Sequence, residues 1–334
     1  MSRLRVLVVG AGTMGTVHSH AYSRLADAEL VGVVDPFNFN PRLATALNVP
    51  QYRDMDDVTP SKCDVLDVCV PSRWHRPYVL RAAQLKKSVF CEKPLAIDLH
   101  DAQAIIDAVQ AHQIRMSVGH CVRFFPEYVH AKSLVENGAL GDIAVVRTFR
   151  GGGFPSAWND WYASRDLSGG TLVDLMIHDF DYLRWVLGPV SRVYAKTIRG
   201  EMNRLDFSLA SVRFASGAIA HMEGTWAHQQ FGTRFEFAGS RGILTHDSYQ
   251  EQALNINRSS ESGVAIPQSL DVDSPYDLEI AHFIEALHKD LPFRVTPDDA
   301  YQALRVALAA QASALTGKSI SLAEDPSSQG GEIR

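Results

Sequence analysis

Residues 4–15 read LRVLVVGAGTMG, an apolar run followed by three closely spaced glycines. A continuous apolar, β-branched run is typical of a strand that is covered on both faces. Glycines in this pattern allow a tight turn, a close approach of the backbone to a pyrophosphate, and close packing of a helix on the strand. Residues 17–25 follow with helical spacing, and the start of a helix offers free N–H groups to an anion. The residues that we assign to this dinucleotide-binding turn are Gly10, Gly12, Thr13, Met14 and Gly15.

A second apolar run, Leu30–Val34, ends at Asp35, twenty positions beyond Gly15. An acidic residue at this distance typically binds the ribose hydroxyls of NAD, and its charge would repel the 2′-phosphate of NADP. No Arg or Lys lies between this run and Arg42. Asp35 therefore favours NAD, with NADP as the less favoured cofactor. The alternative is that the glycines form an ordinary turn between a strand and a helix.

Strand and helix patterns alternate through the first third of the chain. Apolar runs predict strands at 64–70, 88–91 and 115–118, and helical spacing predicts helices at 76–85 and 98–112. This alternation indicates an α/β fold with a doubly wound parallel sheet, whose ligands bind at the carboxyl ends of the strands. Further residues at those ends that we assign to the cofactor are Pro71, Ser72, His75, Glu92 and Lys93.

The composition narrows the class of protein. With 334 residues, 46% hydrophobic and 21% charged, the chain is long enough for two domains. A net charge of −6 without a basic run argues against nucleic-acid binding. The apolar stretches are shorter than the roughly 18 residues that span a bilayer, so we expect no membrane partner. Four cysteines without CxxC spacing and an N-terminus unlike a signal peptide favour the cytoplasm.

Two histidines have the HxH spacing of some metal ligands. His18 and His20 fall within the predicted helix after the glycines, where residues two apart face different directions. A Cys, Asp or Glu partner for them is not obvious from the sequence. We therefore expect no metal site.

Four motifs occur in a specific order: GAGTMG at 10–15, PSRWH at 71–75, CEKPL at 91–95 and SGGTLVDLMIHDFD at 168–181. Together they resemble the glucose–fructose oxidoreductase / inositol dehydrogenase family (Gfo/Idh/MocA), and the resemblance continues to about Leu322. It implies a Rossmann domain followed by an α/β domain with a large, open, mostly antiparallel sheet. We place the NAD-binding domain at 1–122, the substrate-binding and oligomerisation domain at 123–324, and a flexible tail at 325–334.

The second half of the sequence agrees with this expectation. Gly217 and the segment 239–242 are typical of hairpin turns, whereas 250–275 is polar and aperiodic and predicts an irregular excursion. Helical spacing returns at 276–288 and 297–315. The predicted strands are 143–149, 190–198, 206–214, 218–226, 234–238 and 242–245.

The fourth motif has the spacing of a helix with two faces. Asp174, His178 and Asp181 fall on one stripe, while leucines and methionines lie nearly opposite and would be buried. Oxidation of an alcohol needs a base for the hydroxyl proton, and histidine is the usual one. The resemblance implies that His178 is the general acid/base and that Asp174 and Lys93 hold the substrate, forming the catalytic set. Asp181 receives no catalytic role.

Softer candidates surround this set. Arg123 resembles an arginine of the family after the last Rossmann strand, and Tyr276 resembles a family tyrosine that reaches substrate. Trp158 and Asn159 lie in a loop before the glycine pair Gly169–Gly170, where an aromatic ring could stack on a sugar ring. Each of these side chains could equally be structural. The residues assigned to the substrate are Lys93, Arg123, Trp158, Asn159, Asp174, His178 and Tyr276.

These observations predict an NAD-dependent dehydrogenase that acts on a secondary hydroxyl of a cyclic polyol or sugar, with inositol-like substrates first. One alternative is a glycosidase of the same fold that uses bound NAD for transient oxidation and elimination. The other is a non-catalytic, cofactor-sensing regulator of that fold. The resemblance also implies a homodimer or homotetramer formed through the C-terminal sheet.

Overall fold

The computed structural model describes residues 2–36, 40–199, 206–250, 254–258, 261–266 and 274–322. The chain divides into two compact units, each assembled from separate stretches of sequence. Unit 1 comprises Met1–Tyr128, Pro155–Asp174 and Asp271–Leu304, and unit 2 comprises Val129–Phe154, Leu175–Leu270 and Arg305–Arg334. The single domain division between 122 and 123 stays a prediction, and the predicted tail lies outside the described residues.

Unit 1 contains a six-stranded parallel sheet in the order β3-β2-β1-β4-β5-β6. Every residue of β4 and β6 is buried, as their continuous apolar sequences predict. Because the chain passes from β1 to one side and later returns to its other side at β4, the turn after β1 lies where the strand order reverses. The strands are β1 (Leu4–Val9), β2 (Ala28–Val34), β3 (Gln51–Tyr52), β4 (Val65–Val68), β5 (Ser88–Glu92) and β6 (Met116–Gly119).

Four helices connect these strands, which confirms the predicted doubly wound α/β fold. The helix after β1 begins directly behind the glycine turn, and the fourth begins at a cap where Asp98 accepts a hydrogen bond from the N–H of Asp101. The helices are α1 (Thr13–Arg24), α2 (Pro41–Leu47), α3 (His75–Gln84) and α4 (Leu99–His112).

Unit 2 contains a nine-stranded sheet in the order β14-β13-β12-β11-β7-β10-β9-β8-β15. Its strands pair antiparallel except for β7 and β10, so the predicted open, mostly antiparallel sheet is confirmed. The strands are β7 (Ile143–Gly153), β8 (Val190–Arg199), β9 (Asp206–Phe214), β10 (Ile219–Thr225), β11 (Ala227–Gly239), β12 (Gly242–Asp247), β13 (Leu254–Arg258), β14 (Glu261–Ile266) and β15 (Ile320–Ser321).

The prediction of an irregular excursion over 250–275 is wrong where the structure describes it. β13 and β14 pair antiparallel and extend the sheet at one edge. The segment at 254–258 reads LNINR, and its alternation of apolar and polar residues suits a strand despite its overall polarity. Residues 251–253, 259–260 and 267–273 of that stretch lie outside the described residues.

Of the remaining helices, those at 275–289 and 297–316 lie where the sequence predicts them, whereas those at 126–136 and 165–168 were not predicted. The fourth motif does not form one uninterrupted α-helix, because Thr171–Leu175 is a π-helical turn that precedes α7. The helix is also buried on nearly all sides rather than on the leucine face alone: 168–177 are all buried, and His178 is half-buried. These helices are α5 (Pro126–Glu136), α6 (Arg165–Ser168), α7 (Ile177–Leu187), α8 (Pro275–Lys289) and α9 (Pro297–Thr316).

Candidate active site

The glycine turn after β1 has the geometry of an anion-binding site. Gly10 has a φ of 108°, and a Cβ there would come within 2.5 Å of the Cys69 carbonyl oxygen. A Cβ on Gly15 would lie 1.8 Å from the Gly10 oxygen, so helix and turn pack too closely for any side chain. At Gly12 a Cβ would meet no atom of the described residues within 4 Å. The backbone at Gly12 therefore lies open, where a pyrophosphate would need to approach.

The start of α1 supports the same assignment. Gly12 occupies the cap position but has no side chain to satisfy the first helical N–H groups, and residues 13–16 include no acid. Gly12 and Thr13 are exposed, whereas Gly15 is buried. Free N–H groups together with the positive end of the helix dipole favour a phosphate at this position.

Asp35 lies at the end of β2, as predicted, and is nearly fully buried. Its Oδ2 accepts a hydrogen bond of 2.6 Å from the N–H of Ala11, so the carboxylate and the glycine turn hold each other. The side chain thus lies at the same end of the sheet as Gly12. Its predicted contact with ribose hydroxyls stays a prediction.

His75 joins two turns at the carboxyl ends of β4 and β5. Its Nε2 lies 2.9 Å from the carbonyl oxygen of Val70, and its Nδ1 lies 2.9 Å from that of Pro94. Burial is the main cause that lowers the pKa of His75, and the neutral ring that this favours donates its single N–H to one of these two carbonyls at a time. The side chain holds the turn that contains Pro71 and Ser72 against the turn that contains Lys93. Its geometry supports a positioning role at the cofactor end of the sheet.

Lys93 and Asp174 are brought together within unit 1, although 81 positions separate them. The Lys93 ammonium donates to the backbone carbonyl of Asp174 at 2.8 Å and to its Oδ1 at 3.1 Å. Both side chains are largely buried, so their charges interact in a medium of lower dielectric than water. Burial raises the pKa of Asp174, while the Lys93 charge opposes that rise. The result is a preformed ammonium–carboxylate pair beside the end of β5.

The sequence reasoning missed Tyr162, which lies in the same unit. Burial raises the pKa of the Tyr162 phenol, and the negative charges of Asp174 and Glu92 raise it further. The phenol therefore stays protonated near this pair and can act as a hydrogen-bond donor. A tyrosine beside two tryptophans in the segment WNDWY carries no sequence signal that separates it from a packing residue.

The glycine pair before the π-helical turn has a local reason. Gly169 and Gly170 have φ values of 73° and 69°, which favour glycine over residues with a side chain. A Cβ on Gly169 would lie 2.4 Å from Cβ of Val173, so the chain approaches its own next turn. The predicted approach of this backbone to substrate stays a prediction. π-Helical turns often mark functional positions, and this one carries Asp174.

His178 follows in α7 and belongs to unit 2. It is half-buried, and Asp181 in the same helix is fully buried. The catalytic role of His178 stays a prediction.

The softer candidates differ in their surroundings. Arg123 is only 2% exposed, and its guanidinium donates to the carbonyl of Arg294 at 2.9 Å and lies 3.4 Å from Asp299. Two of its nitrogens thus face protein acceptors, and its predicted contact with substrate stays a prediction. Trp158 is 44% exposed, and Tyr276 begins α8 with its ring 6.5 Å from that of Phe125.

Asn159 has a φ of 52°, and the next residue is also left-handed. Both lie in the short helical turn Trp158–Ala163. Non-glycine residues in this conformation are uncommon and often occur at functional positions. Its predicted contact with substrate stays a prediction.

The structure also corrects the treatment of His18. Partners that are remote in sequence surround it: Nδ1 lies 2.9 Å from Oδ2 of Asp67 and 3.2 Å from the sulfur of Cys69. Its Nε2 lies 3.3 Å from Oε1 of Glu92. A single sequence signal existed, namely an aspartate inside the fully buried strand β4, because a buried carboxylate needs a partner.

Comparison with known proteins decides the family. Residues 4–120 match the oxidoreductase family with an NAD-binding Rossmann fold, and residues 128–245 match the GFO/IDH/MocA C-terminal domain. This chain belongs to the Gfo/Idh/MocA family. The NAD-binding domain, the dehydrogenases among its relatives and the glycine turn agree, so the chain is an NAD-dependent dehydrogenase. The predicted family, enzyme class and cofactor are confirmed.

Relatives within the family cover almost the whole chain. Inositol 2-dehydrogenase of Rhizobium meliloti is 29% identical over 96% of this chain and 99% of its own length. Myo-inositol 2-dehydrogenase of Thermotoga maritima is 28% identical over 96% and 99%. A crystal structure of a putative myo-inositol dehydrogenase from Sinorhizobium meliloti superimposes with a TM-score of 0.80 at 26% identity, over 96% of this chain and 100% of that one. Among the described residues, no helix is both long and apolar enough to cross a membrane.

Proposed function

We propose that this dehydrogenase oxidises a secondary hydroxyl of a cyclic polyol or sugar, with inositol-like rings as the first class to test. The Lys93–Asp174 pair carries the proposal. Lys93 directly follows β5, so the pair places a buried ammonium at the carboxyl end of that strand, on the same edge of the parallel sheet as the glycine turn. The inositol dehydrogenases among the relatives support the substrate class. Asp35 supports NAD over NADP, since its carboxylate would repel a 2′-phosphate.

NAD, when bound, accepts a hydride from the carbon that carries the hydroxyl. Gly10, Gly12 and Gly15 would hold its pyrophosphate, and Asp35 its ribose. Lys93 uses two of its three ammonium N–H bonds on Asp174, which leaves a third to donate to the substrate oxygen. That donation stabilises negative charge on the oxygen as its proton leaves.

In this proposal His178 accepts the hydroxyl proton during oxidation and returns it during reduction. A neutral imidazole suits this step because its usual pKa lies near working pH. Asp174 orients the Lys93 ammonium, and the Lys93 charge in turn opposes the burial that raises the pKa of Asp174. Trp158, Asn159 and Tyr276 would contribute to the wall for an uncharged, polyhydroxylated ring.

The test is NADH formation across a panel of inositols and aldoses, followed by variants on the best substrate. His178→Ala should lower kcat by roughly 10²–10⁴-fold, the usual contribution of a general base, while the Kd for NAD stays unchanged. His100→Ala is the matched control, since the His100 side chain is 80% exposed. Lys93→Met should also abolish turnover. An active Lys93→Met enzyme, or an equal loss of NAD affinity in His178→Ala, would contradict the proposed roles.

A glycoside-release assay without added cofactor separates the glycosidase alternative. A glycosidase would release the aglycone from a glycoside without net NADH, whereas a dehydrogenase forms NADH in proportion to the oxidised product.

We also propose that the chain forms a homodimer or homotetramer through the exposed face of its nine-stranded sheet. Large apolar side chains are exposed along this sheet: Tyr194, Ile198, Leu209, Ile219, Phe231 and Ile243. Large apolar side chains that stay exposed on one sheet support its assignment as the interface.

A further inference from the structure

A buried cluster of ionisable side chains lies behind the glycine turn in unit 1. His18 on α1 and Asp67 in β4 are fully buried, and Cys69 follows β4 directly. The Cys69 sulfur lies 3.2 Å from His18 Nδ1 and donates to Oδ1 of Asp67 at 3.2 Å. The glycine turn adjoins this cluster, since a Cβ on Gly15 would lie 3.5 Å from Cβ of Cys69.

The types of these three side chains are also those of metal ligands, but their spacing indicates hydrogen bonds. His18 Nδ1 and Asp67 Oδ2 are 2.9 Å apart, which is the usual length of an N–H···O bond. Burial and Asp67 raise the pKa of Cys69, so its thiol keeps its proton and donates a hydrogen bond to Asp67. The cluster is therefore a hydrogen-bonded network of ionisable side chains.

Within this network His18 is a cation between two carboxylates. Burial alone would lower its pKa, but the charge of Asp67 and the hydrogen bond to it oppose that effect and raise the pKa of His18 above its usual value. An imidazolium donates from both ring nitrogens, so Nδ1 can donate to Asp67 while Nε2 faces Oε1 of Glu92 at 3.3 Å.

Glu92 connects the network to Lys93. While Oε1 faces His18, Oε2 accepts a hydrogen bond of 3.0 Å from the backbone N–H of Lys93. Gly119 on the neighbouring strand leaves room for this carboxylate, because a Cβ there would lie 3.2 Å from Oε1. The two oxygens of Glu92 thus join His18 to the backbone of the residue whose ammonium holds Asp174.

We propose that His18 is a positioning residue for Lys93 and acts through the Glu92 carboxylate. The proposal rests on the function proposed above for Lys93. His18 holds Glu92 ionised and oriented, and Glu92 fixes the peptide from which the Lys93 side chain reaches Asp174. The network therefore couples the helix behind the cofactor turn to the catalytic ammonium.

The charge balance gives this proposal a pH signature. Burial would raise the pKa of Glu92, but the charge of His18 at 3.3 Å and that of Lys93 lower it below its usual value. Without the imidazolium, the burial effect dominates and the pKa of Glu92 rises. Glu92 then becomes protonated as the pH falls, and its oxygen accepts the Lys93 N–H more weakly.

The other ionisable groups around Glu92 do not reverse this sign. Burial is the leading effect at Cys69, Cys91 and Tyr162, whose pKa values are all raised, so these side chains stay neutral. His75 is neutral because burial lowers its pKa. The remaining negative groups, Asp67 and Asp174, add to the repulsion that favours protonated Glu92 once the imidazolium is removed.

Two isosteric variants separate the two nitrogens of His18. The amide nitrogen of Gln occupies the region of Nε2 and keeps a donor toward Glu92, whereas that of Asn occupies the region of Nδ1 and keeps a donor toward Asp67. We expect His18→Gln to retain about tenfold more kcat/KM than His18→Asn, the effect of one hydrogen bond to a charged group. Thermal stability and the Kd for NAD are measured in parallel as controls.

The pH profile tests whether Glu92 transmits the effect. The ratio of wild-type to His18→Gln kcat/KM should increase as the pH is lowered, because loss of the imidazolium raises the pKa of Glu92 in the variant. Glu92→Gln, which cannot titrate at this position, should make that ratio independent of pH. Adding His18→Gln to Glu92→Gln should then change kcat/KM by less than about twofold.

Hydrogen–deuterium exchange gives a readout that does not depend on turnover. The amide of Lys93 should exchange faster in His18→Asn than in His18→Gln, because only the latter keeps a donor on Glu92. Equal exchange and an equal, pH-independent loss of kcat/KM in both variants would overturn the proposal. Stoichiometric zinc in the purified protein that is lost in Cys69→Ser would overturn it as well.

The outcome is distinguishable from a failure of the proposed function. If Lys93→Met keeps its turnover, the proposed function itself is contradicted. If Lys93 is essential and the His18 variants behave alike, only the positioning role is contradicted.

Discussion

The two sheets of this molecule bury their residues in different ways. In the parallel sheet of unit 1, every residue of β4 is buried, so both faces of the strand are covered. In the nine-stranded sheet of unit 2, β9 alternates strictly between buried residues and half-buried or exposed ones. A strand with two covered faces can place polar chemistry at its ends, whereas a strand with one open face also carries a surface along its whole length.

The exceptions to each pattern are informative. Asp67 is a charged residue inside a fully covered strand, and its partners come from α1 and from the end of β4. Leu209 is a large apolar residue on the open face of β9, where polar residues would be expected. The first exception points to a buried network and the second to an interface.

The largest expected effect is a loss of stability when a buried phenylalanine of β11 is removed. An exposed phenylalanine of the same strand serves as the comparison. Phe237 is fully buried, and Phe237→Ala should lower the free energy of unfolding by about 3–5 kcal/mol, because a cavity remains in the core. Phe231 is 60% exposed, and Phe231→Ala should change the stability of the monomer by less than about 0.5 kcal/mol. Chemical denaturation of both variants under monomeric conditions measures the difference. Equal losses would show that burial of the ring does not set the cost of its removal.

The next prediction concerns Gly12, in the turn that follows the covered strand β1. There, NAD affinity and the free energy of unfolding should change independently. Gly12 has a φ of −73° and space for a Cβ, so Gly12→Ala should leave the unfolding free energy unchanged or slightly higher. The added methyl group should nevertheless weaken NAD binding by about 10–100-fold, since it occupies the approach of the pyrophosphate. Calorimetry with NAD and thermal unfolding without it measure both quantities.

The control for that prediction is Gly153→Ala in unit 2. A Cβ there would make only an ordinary contact of 3.5 Å with the His228 carbonyl oxygen. NAD affinity should not change in this variant. Unaltered NAD affinity in Gly12→Ala would place the pyrophosphate elsewhere.

The smallest effect on the folded monomer concerns the open face of the nine-stranded sheet. Leu209 lies opposite Glu223 of β10 and Lys196 of β8, so an arginine at this position has one neighbour of each charge. Leu209→Arg should change the stability of the monomer by less than about 0.5 kcal/mol but should dissociate the proposed oligomer. Light scattering coupled to size-exclusion chromatography measures the mass. An oligomer that persists in Leu209→Arg would rule out this face as the interface.

Much of the fold could be predicted because its signals are local. The strand Leu4–Val9 and the helix after it have the predicted positions, since burial on both faces demands a continuous apolar sequence. β9 has its predicted bounds for the opposite reason, because strict alternation marks one covered face. The strands at 254–258 and 261–266 were missed because a strand near the edge of a sheet can be largely polar, so its sequence lacks a strong apolar pattern.

The site was predictable to the extent that motifs encode it. Lys93 and Asp174 were named from their motifs, and the structure brings them together. Tyr162 and the protein partners of Arg123 were not accessible, because aromatic and basic side chains in loops give the same pattern whether they pack or bind. The sequence reasoning considered His18 only together with His20, two positions away, whereas its partners Asp67 and Cys69 lie 49 and 51 positions away.

By itself, the sequence determined the parallel sheet, the glycine turn, the family and the NAD-dependent chemistry, because each depends on residues that are close together in the chain. Only the tertiary structure decided which ionisable side chains become partners. Charges that are remote in sequence acquire their pKa values and their roles from burial and from distance in space, as Glu92 does between His18 and the Lys93 peptide.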